Sequence, residues 1–297
     1  MPPRSNPQRR NSPARLLLPP MHQKIGFMQG RLSPLVEGKI QAFPCDHWRD
    51  EFPEAQNIGV GLMEWTLDHE RLRDNPLLTR EGRNEIRRLS AAYEVRIDSV
   101  TGDCFMQAPF YKANSAARRE LLADFEAVVA ACADLGITRL VVPLVDDGTL
   151  ETASQERMLT DELVQRRQLL HRARLAVVFE SDFCPARLQD FITSFPAEQF
   201  GINYDIGNSA ALGYDPSEEI GVYGARILNV HVKDRLHGGT SVALGTGNAD
   251  LPRVFRLLRA ANYQGNYILQ TARVADGRHA GALRRYLDMV EGWIEAG

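Results

Sequence analysis

The chain contains VVFE (177–180), INYD (202–205), LNVH (228–231) and YILQ (267–270), four short apolar runs that each end in a side chain able to bind a metal ion. Those side chains are Glu180, Asp205, His231 and Gln270. The intervals between them are too long for one helix. If the runs are strands of one parallel barrel, their carboxyl ends meet at one mouth, where a (β/α)8 barrel places its chemistry. The pattern therefore predicts one site shared by four strands.

Strand-like runs alternate with helical patterns along the chain, which is typical of a parallel α/β fold. Start-to-start intervals of about 25 to 43 residues suit strand–helix units. The predicted strands are 24–29, 58–65, 95–101, 137–144, 174–180, 199–205, 226–232 and 266–271. Eight such units predict a single-domain (β/α)8 TIM barrel over residues 23–297.

Apolar residues recur at helical spacing between the predicted strands. The predicted helices are 114–135, 155–172, 250–262 and 278–295. Gly136 is a natural stop for the first, and Asp250 with Pro252 forms a plausible start for the third. The segment 30–57 is too long for a minimal strand–helix loop. It is either a flap that covers the substrate at the barrel mouth or an insertion without a role.

Composition and charge narrow the class of protein. The net charge is −3, with 44% hydrophobic and 25% charged residues, so nothing favours nucleic acid or an acidic membrane as a partner. Residues 1–22 form an Arg- and Pro-rich head, which we expect to be disordered. Leu16–Leu18 is too short a run for a secretory signal or a membrane span, whereas a transit peptide, a floppy leader and a misassigned start codon stay open.

The cysteines are widely spaced and form no CxxC pair, which argues against a disulfide framework and fits a reducing cytoplasm. They are Cys45, Cys104, Cys132 and Cys184. Cys104 and Cys184 follow predicted strands near the proposed site. We interpret them as bystanders rather than nucleophiles, because no His stands in an activating sequence context.

The donor set predicts one divalent ion, with Mn²⁺ preferred and Mg²⁺, Co²⁺ or Zn²⁺ as alternatives. Carboxylate, imidazole and amide ligands without thiolate suit these ions better than a structural zinc site. Glu180 and Asp205 together cancel the charge of a divalent ion, and Gln270 adds none. Two coordination positions would stay open for a hydroxyl–carbonyl pair of a sugar, whose enediolate oxygen the ion could stabilise.

Several motifs resemble those of the xylose-isomerase-like barrels, specifically the sugar phosphate isomerase/epimerase proteins, over roughly residues 24–295. They are FES (179–181), DIGN (205–208), NVHVKD (229–234), GTGNAD (245–250) and the ligand position on the eighth strand. The resemblance implies a metal-dependent proton transfer on a carbohydrate and a homo-oligomer. It also implies metal ligands of the types Glu, Asp, His and Glu, of which the first three map onto Glu180, Asp205 and His231.

The fourth ligand position carries Gln270 instead of Glu, and glutamine cannot act as a base. An epimerase removes a proton on one face of a carbon and returns one to the other, so it needs two proton-transfer groups. Glu180 is the first candidate. Asp103 is our preferred second candidate, with Asp146 and Lys233 as alternatives. Isomerisation, dehydration by β-elimination and sugar binding without catalysis therefore stay open.

Other polar residues at strand ends are candidates for substrate binding: Gln29, Arg31, Glu64, Asn208, Arg235 and Arg273. The arginines, with Lys233, could hold a phosphate or a sugar carboxylate, or they could form salt bridges at the rim. GTGNAD lacks the third glycine of a dinucleotide loop, so we do not expect NAD. An abasic-site endonuclease is disfavoured because only His231 among the histidines ends a strand and the charge is negative.

Overall fold

The computed structural model describes residues 23–296 and contains a closed barrel of eight parallel strands. The strands are β1 Ile25–Met28, β2 Leu62–Thr66, β3 Arg96–Thr101, β4 Arg139–Leu144, β5 Ala176–Ser181, β6 Phe200–Asp205, β7 Ile227–Val232 and β8 Asn266–Leu269. Their order around the barrel follows the chain, and β8 closes against β1. The predicted barrel and its eight strands are confirmed. The head at residues 1–22 lies outside the described residues.

Helices follow the strands and cover the barrel. The α-helices are α1 Glu51–Ile58, α2 Arg80–Tyr93, α3 Asp103–Gln107, α4 Ser115–Leu135, α5 Ala153–Gln165, α6 Arg167–Ala173, α7 Pro185–Thr193, α8 Ile206–Leu212, α9 Pro216–Tyr223, α10 Leu251–Ala260 and α11 His279–Ala296. Short 3-10 turns lie at Leu72–Asp74, Pro76–Leu78, Asp146–Gly148 and Gly224–Arg226, and a two-stranded antiparallel ribbon pairs Asp234–Arg235 with Ser241–Val242.

The predicted helix boundaries hold where a cap fixes them. The side chain of Asp250 accepts a hydrogen bond from the backbone of Arg253 at the start of α10, and Gly136 ends α4 with a φ of 73°. The predicted helix 155–172 is instead two helices that meet at Arg166, where φ is −90° and ψ is 4°. Both halves bury leucines, so the apolar pattern alone does not show this break.

Side chains alternate between the two faces of the barrel wall, as the pleat of a strand requires. In β6, Phe200, Ile202 and Tyr204 join the large apolar core beneath the helices, whereas Asn203 contacts residues of neighbouring strands inside the barrel. A small separate apolar cluster consists of Met28, Leu62 and Ile268. In the strand register Met28 stands beside Glu64 and Ile268 beside His231, so apolar and polar side chains share this level of the barrel.

Two register irregularities aim polar side chains into the barrel. One lies between Ile202 and Asn203 on the β6–β7 pair, after which Asp205 stands opposite His231. The other lies between Met63 and Glu64 on the β2–β3 pair. Bulges of this kind redirect side chains and are common beside functional sites.

The segment between β1 and α1 is shorter than predicted, because residues 51–58 form a helix whose Phe52 is fully buried in the core. The remaining loop is anchored by Glu51, whose carboxylate accepts hydrogen bonds from the backbone N–H groups of Gly30 and Leu32, at 2.9 Å each. Ile40 of this loop lines the cavity at the barrel mouth. The loop thus lies where a flap over the substrate would be.

The GTGNAD motif is a loop held by one carboxylate. Oδ2 of Asp234 accepts from the backbone of Gly245 and Gly247 at 2.9 and 2.8 Å, and Oδ1 accepts from Ala249 at 3.1 Å. A Cβ atom at position 247 would overlap Asp234 Oδ1, so the close approach requires glycine. The motif therefore packs against Asp234 of the same chain.

The four cysteines are unpaired, with Cys104 and Cys132 buried and the other two exposed. Between residues 23 and 296, no helix has the length and apolarity needed to cross a membrane.

The buried carboxyl of Glu51 predicts a pH-dependent stability. Burial raises its pKa to about 7, although the Gly30 and Leu32 N–H groups oppose this. Because the folded-state pKa exceeds the unfolded value, this contribution to stability is full at low pH and is lost as pH rises through about 7. Between pH 5 and pH 8 the wild type should lose on the order of 2 kcal/mol relative to Glu51→Gln. Urea unfolding at both pH values measures the difference.

The matched control for this comparison is Glu54→Gln on the same helix, which should track the wild type. An unfolding free-energy difference between wild type and Glu51→Gln that is the same at pH 5 and pH 8 would contradict the expectation.

Candidate metal centre and its cavity

Three predicted ligands meet at the floor of the barrel mouth. His231 Nδ1 lies 3.2 Å from Glu180 Oε2 and 4.0 Å from Asp205 Oδ2. One donor atom from each of the three residues lies within 4.8 Å of the others, and all three residues are buried. Two carboxylates and an imidazole at this spacing fit a divalent ion. These three residues could therefore hold one metal ion.

Glu64 fixes the orientation of the imidazole. Its Oε1 lies 2.7 Å from His231 Nε2, and both side chains are fully buried. Burial by itself lowers the pKa of His231, but the charges of Glu64 and Glu180 outweigh it and raise the pKa to about 10. A metal-binding histidine usually has such a carboxylate on its second nitrogen. The Nδ1 atom is thereby left facing the other two ligands.

A layer of buried polar side chains supports these carboxylates from below. Asn203 Nδ2 donates to Glu180 Oε2 at 2.9 Å, and Asn229 Nδ2 donates to Glu64 Oε2 at 2.9 Å. The hydroxyl of Ser99 donates to the same Glu64 oxygen at 2.6 Å. Ser99, Asn203 and Asn229 were not among the site residues predicted from the sequence. A polar residue at an inward position of an apolar strand was the available signal.

Asn208 links two ligands through the start of α8. Its side-chain Nδ2 donates to Glu180 Oε1 at 2.7 Å, and its backbone N–H donates to Asp205 Oδ1 at 2.8 Å. Arg235 donates in turn to Asn208 Oδ1 at 2.8 Å. Asn208 also lines the cavity, so it can orient both the carboxylate of Glu180 and a bound molecule.

The predicted fourth ligand is engaged by a lysine. Lys233 Nζ lies 3.0 Å from Asp205 Oδ2 and donates to Gln270 Oε1 at 3.2 Å. Gln270 follows β8 directly, so it reaches the same mouth as the other three. The amide oxygen that we predicted as a metal ligand thus accepts a hydrogen bond from an ammonium group.

Above the floor lies a cavity of about 490 Å³, which suits a single small ligand. Its wall includes these predicted site residues: Arg31, Asp103, Glu180, Asn208, Lys233, Arg235 and Gln270. Apolar side chains such as Met106, Val145 and Leu212 complete it. A mixed wall of this kind can bind the carbon skeleton and the hydroxyl groups of a polyol.

Gln41 of the β1–α1 loop connects three strand ends. Its Nε2 donates to Asp103 Oδ2 at 2.8 Å, and its Oε1 accepts from Arg31 and from Gln270, at 3.1 Å each. Burial raises the pKa of Asp103 to about 7, which Gln41 partly opposes. The prediction of a flap pointed to this loop, but nothing in the sequence singled out Gln41.

Three residues predicted to bind substrate are absent from the cavity wall. Gln29 and Glu64 are fully buried. The side chain of Gln29 accepts a hydrogen bond from the backbone of Thr66. The side chain of Glu64 accepts hydrogen bonds from His231, Ser99 and Asn229. Arg273 donates to the backbone carbonyl of Ser33 at 2.6 Å, behind the β1–α1 loop. Strand-end position alone did not distinguish side chains that face the cavity from those beneath it.

The two arginines that do line the cavity are held by backbone carbonyls. Arg31 donates to Thr271 at 3.0 Å and to Ile40 at 3.1 Å, and both Nε and Nη2 of Arg235 donate to Gly239. Each guanidinium therefore already stabilises a loop, and only its remaining N–H groups are available to an anion.

We expect Glu64→Gln to weaken metal binding by about 10–100-fold, because it removes the negative charge that orients His231. Titration with Mn²⁺ followed by electron paramagnetic resonance measures the affinity. Glu219→Gln is the control, since Glu219 is also buried and accepts from the hydroxyls of Tyr204, Ser209 and Tyr223. Equal affinities in Glu64→Gln and wild type would rule out the orienting role.

The chain is similar to several known proteins. The L-ribulose-5-phosphate 3-epimerase UlaE of Escherichia coli O1:K1 is 25% identical over 245 residues, which cover 80% of this chain and 85% of that protein. D-psicose 3-epimerase from Clostridium cellulolyticum H10 superposes with a TM-score of 0.71 at 10% identity, covering 92% and 99% of the two chains. The zinc-bound IOLI protein superposes with a TM-score of 0.70 at 13% identity, covering 91% and 99%.

The family assignment rests on a match to a family model. A family model described as the xylose isomerase-like TIM barrel matches residues 52–290, which include the metal-centre residues and all strands except β1. The predicted resemblance is confirmed, and the chain belongs to the xylose isomerase-like TIM barrel family.

Proposed function

We propose that this protein is a divalent-metal-dependent isomerase or epimerase that acts on a sugar or sugar derivative through an enediolate-type proton transfer. The observation that carries the proposal is the cluster of Glu180, Asp205 and His231, of which Glu180 lines a cavity of about 490 Å³. Relatives that are named as sugar epimerases support it. A homo-oligomer in the cytoplasm is part of the proposal, from the family resemblance and the cysteine pattern.

Glu180, Asp205 and His231 would hold the ion, and Gln270 is the proposed fourth ligand. A bound divalent ion would act as a Lewis acid that stabilises negative charge on a substrate oxygen. Mn²⁺ is the ion we propose, with Mg²⁺, Co²⁺ or Zn²⁺ as alternatives. The network beneath the centre supports this assignment, because Glu64 contacts the Nε2 atom of His231 and the Nδ1 atom lies on the side of Glu180 and Asp205.

Glu180 is the proposed base that removes a proton from the carbon next to the substrate carbonyl. Its two oxygens accept hydrogen bonds from Asn203 and Asn208, at 2.9 and 2.7 Å, which fix the plane of the carboxylate. Fixing a base in one orientation raises the fraction of time in which it faces the substrate carbon. Asn203 and Asn208 are therefore proposed as positioning residues.

Asp103 is the proposed second proton-transfer group, in place of the glutamate that Gln270 replaces. It lines the cavity from the end of β3, and burial raises its pKa to about 7. A carboxyl group with that pKa can both accept and donate a proton near neutral pH. Asp146 also lines the cavity and is the alternative. This arrangement favours epimerisation over a reaction with a single base.

Two other functions follow if Gln270 marks a loss of the second proton-transfer group. β-Elimination of water from a polyol or keto-sugar needs only one base, and a sugar-binding barrel needs none. Gln270 accepts a hydrogen bond from Lys233 and cannot act as a base. These alternatives are therefore favoured if Asp103 does not transfer a proton either.

His231→Ala should lower the affinity for Mn²⁺ by at least about 100-fold, because loss of a ligand costs more than loss of a group that orients one. Dialysed protein titrated with Mn²⁺ and followed by electron paramagnetic resonance provides the measurement. His237→Ala, in the loop after β7, is the control. Unchanged affinity in His231→Ala would reject the metal centre.

Glu180→Gln should slow the uptake of solvent deuterium at the substrate carbon by about 10²–10⁴-fold, since it removes the base. Proton NMR in D₂O with D-psicose, D-tagatose and L-ribulose 5-phosphate detects the exchange, and Glu156→Gln on α5 is the control. Persisting exchange in Glu180→Gln would assign the base elsewhere. Binding without exchange in the wild type would instead favour the sugar-binding barrel.

A further inference from the structure

We propose that Lys233 is a tethered cation that competes with the metal ion for Asp205 and Gln270. Its ammonium group holds both side chains in the ion-free protein, and it leaves them for the cavity when the ion binds. The inference rests on the proposed metal dependence and adds to it a residue that controls access to the centre.

The competition follows from the use of one oxygen atom. Asp205 Oδ1 is occupied by the backbone N–H of Asn208, at 2.8 Å. Asp205 Oδ2 is the oxygen that faces the other ligands, 4.0 Å from His231 Nδ1, and it is also the oxygen that Lys233 contacts at 3.0 Å. An ion shared by Asp205 and His231 would therefore use the oxygen that already pairs with the ammonium group.

The side-chain amide oxygen of Gln270 also already pairs with the ammonium group of Lys233. Gln270 Oε1 accepts from Lys233 Nζ at 3.2 Å, whereas Gln270 Nε2 donates to Gln41 Oε1 at 3.1 Å. The amide is thus fixed with its oxygen toward the lysine. A divalent ion that took both oxygens would come within a few ångströms of a positive charge in a largely buried site, where the repulsion is weakly screened.

Lys233 has the freedom to leave. Only its base is confined, because Gly207 of α8 lies so close that a Cβ atom there would come within 2.7 Å of the lysine Cγ. Lys233 lines the cavity, and its flexible stem can turn toward it. A lysine suits this role better than an arginine, whose planar fork binds two oxygens at once and moves as a rigid unit.

The choice of lysine stands out in this chain. Lysines number four among 35 basic residues, and the others are Lys24, Lys39 and Lys112. Among the described residues, Lys233 is the lysine that lines the cavity. A released ammonium group would offer three N–H donors to the oxygens of a bound sugar. The ion would therefore bind before the sugar, since only its entry frees this donor.

The first test is a set of Mn²⁺ titrations by electron paramagnetic resonance. Lys233→Met, which keeps the stem and removes the charge, should bind Mn²⁺ about tenfold or more tightly than the wild type, because one positive charge no longer opposes the ion. Lys112→Met, whose lysine pairs with Glu151 on the outside of the barrel, should match the wild type. Adding Gln270→Ala to Lys233→Met should reverse a large part of the gain.

The second test measures release of the ammonium group in the wild type. Acetylation with a water-soluble succinimidyl ester, read by peptide mass spectrometry, should label Lys233 several-fold faster with saturating Mn²⁺ than without it. Lys39 and Lys112 are internal controls whose rates should not change. Thermal unfolding followed by circular dichroism confirms that each variant is folded.

Two results would overturn the inference and leave the proposed metal centre intact. One is a Lys233→Met variant that binds Mn²⁺ no more tightly than a wild type that does bind it. The other is labelling of Lys233 that Mn²⁺ leaves unchanged or slows. A wild type that binds no Mn²⁺ at all would remove the proposed centre as well, which separates failure of the function from failure of the competition.

Discussion

The buried contact between Glu64 and His231 is the constraint on which the rest of the mouth depends. An unpaired charge in the interior of a barrel is strongly unfavourable, so each of these groups needs the other and further hydrogen-bond partners. Ser99 and Asn229 supply them for Glu64, and the register irregularity in β2–β3 brings Glu64 level with Ser99. Strand register, the polar interior and the direction of the imidazole are thereby tied together.

Charge balance fits the proposed exchange of a metal ion for Lys233. Glu180 and Asp205 bring two carboxylates to the candidate metal centre. In the described structure two positive groups face them: Lys233, and His231, whose pKa of about 10 keeps it protonated at neutral pH. A divalent ion carries the same total charge as these two groups. Exchange of the ion for a proton and an ammonium group therefore leaves the charge of the floor nearly constant.

The sequence was sufficient for the barrel and for the floor of the site. Alternation in runs such as INYD (202–205) predicts strands, and parallel strands in a barrel bring their carboxyl ends together, which places Asp205 beside His231. The sequence was insufficient to predict which side chains face the cavity, because that depends on distances across the barrel. Whether Glu64 faces the cavity or lies beneath His231 depends on a bulge, which strand patterns do not encode.

The contacts that loops make also could not be predicted from the sequence. Gln41 meets Asp103 and Gln270 only after three strands and one irregular loop have been placed, and no local pattern specifies that meeting. The break at Arg166 was not predicted for a related reason, because the two helices that meet there present one continuous apolar stripe. Hydrophobic periodicity shows which face of a helix or strand is buried, whereas these features depend on where helices and strands end.

The hydrogen bonds of Gln41 have a kinetic consequence. A ligand that enters between Asp103 and Gln270 has to separate an amide that makes three contacts, each worth roughly 0.5–1.5 kcal/mol. Breaking these contacts would slow the entry of a ligand by that route. The release of a bound molecule would slow for the same reason.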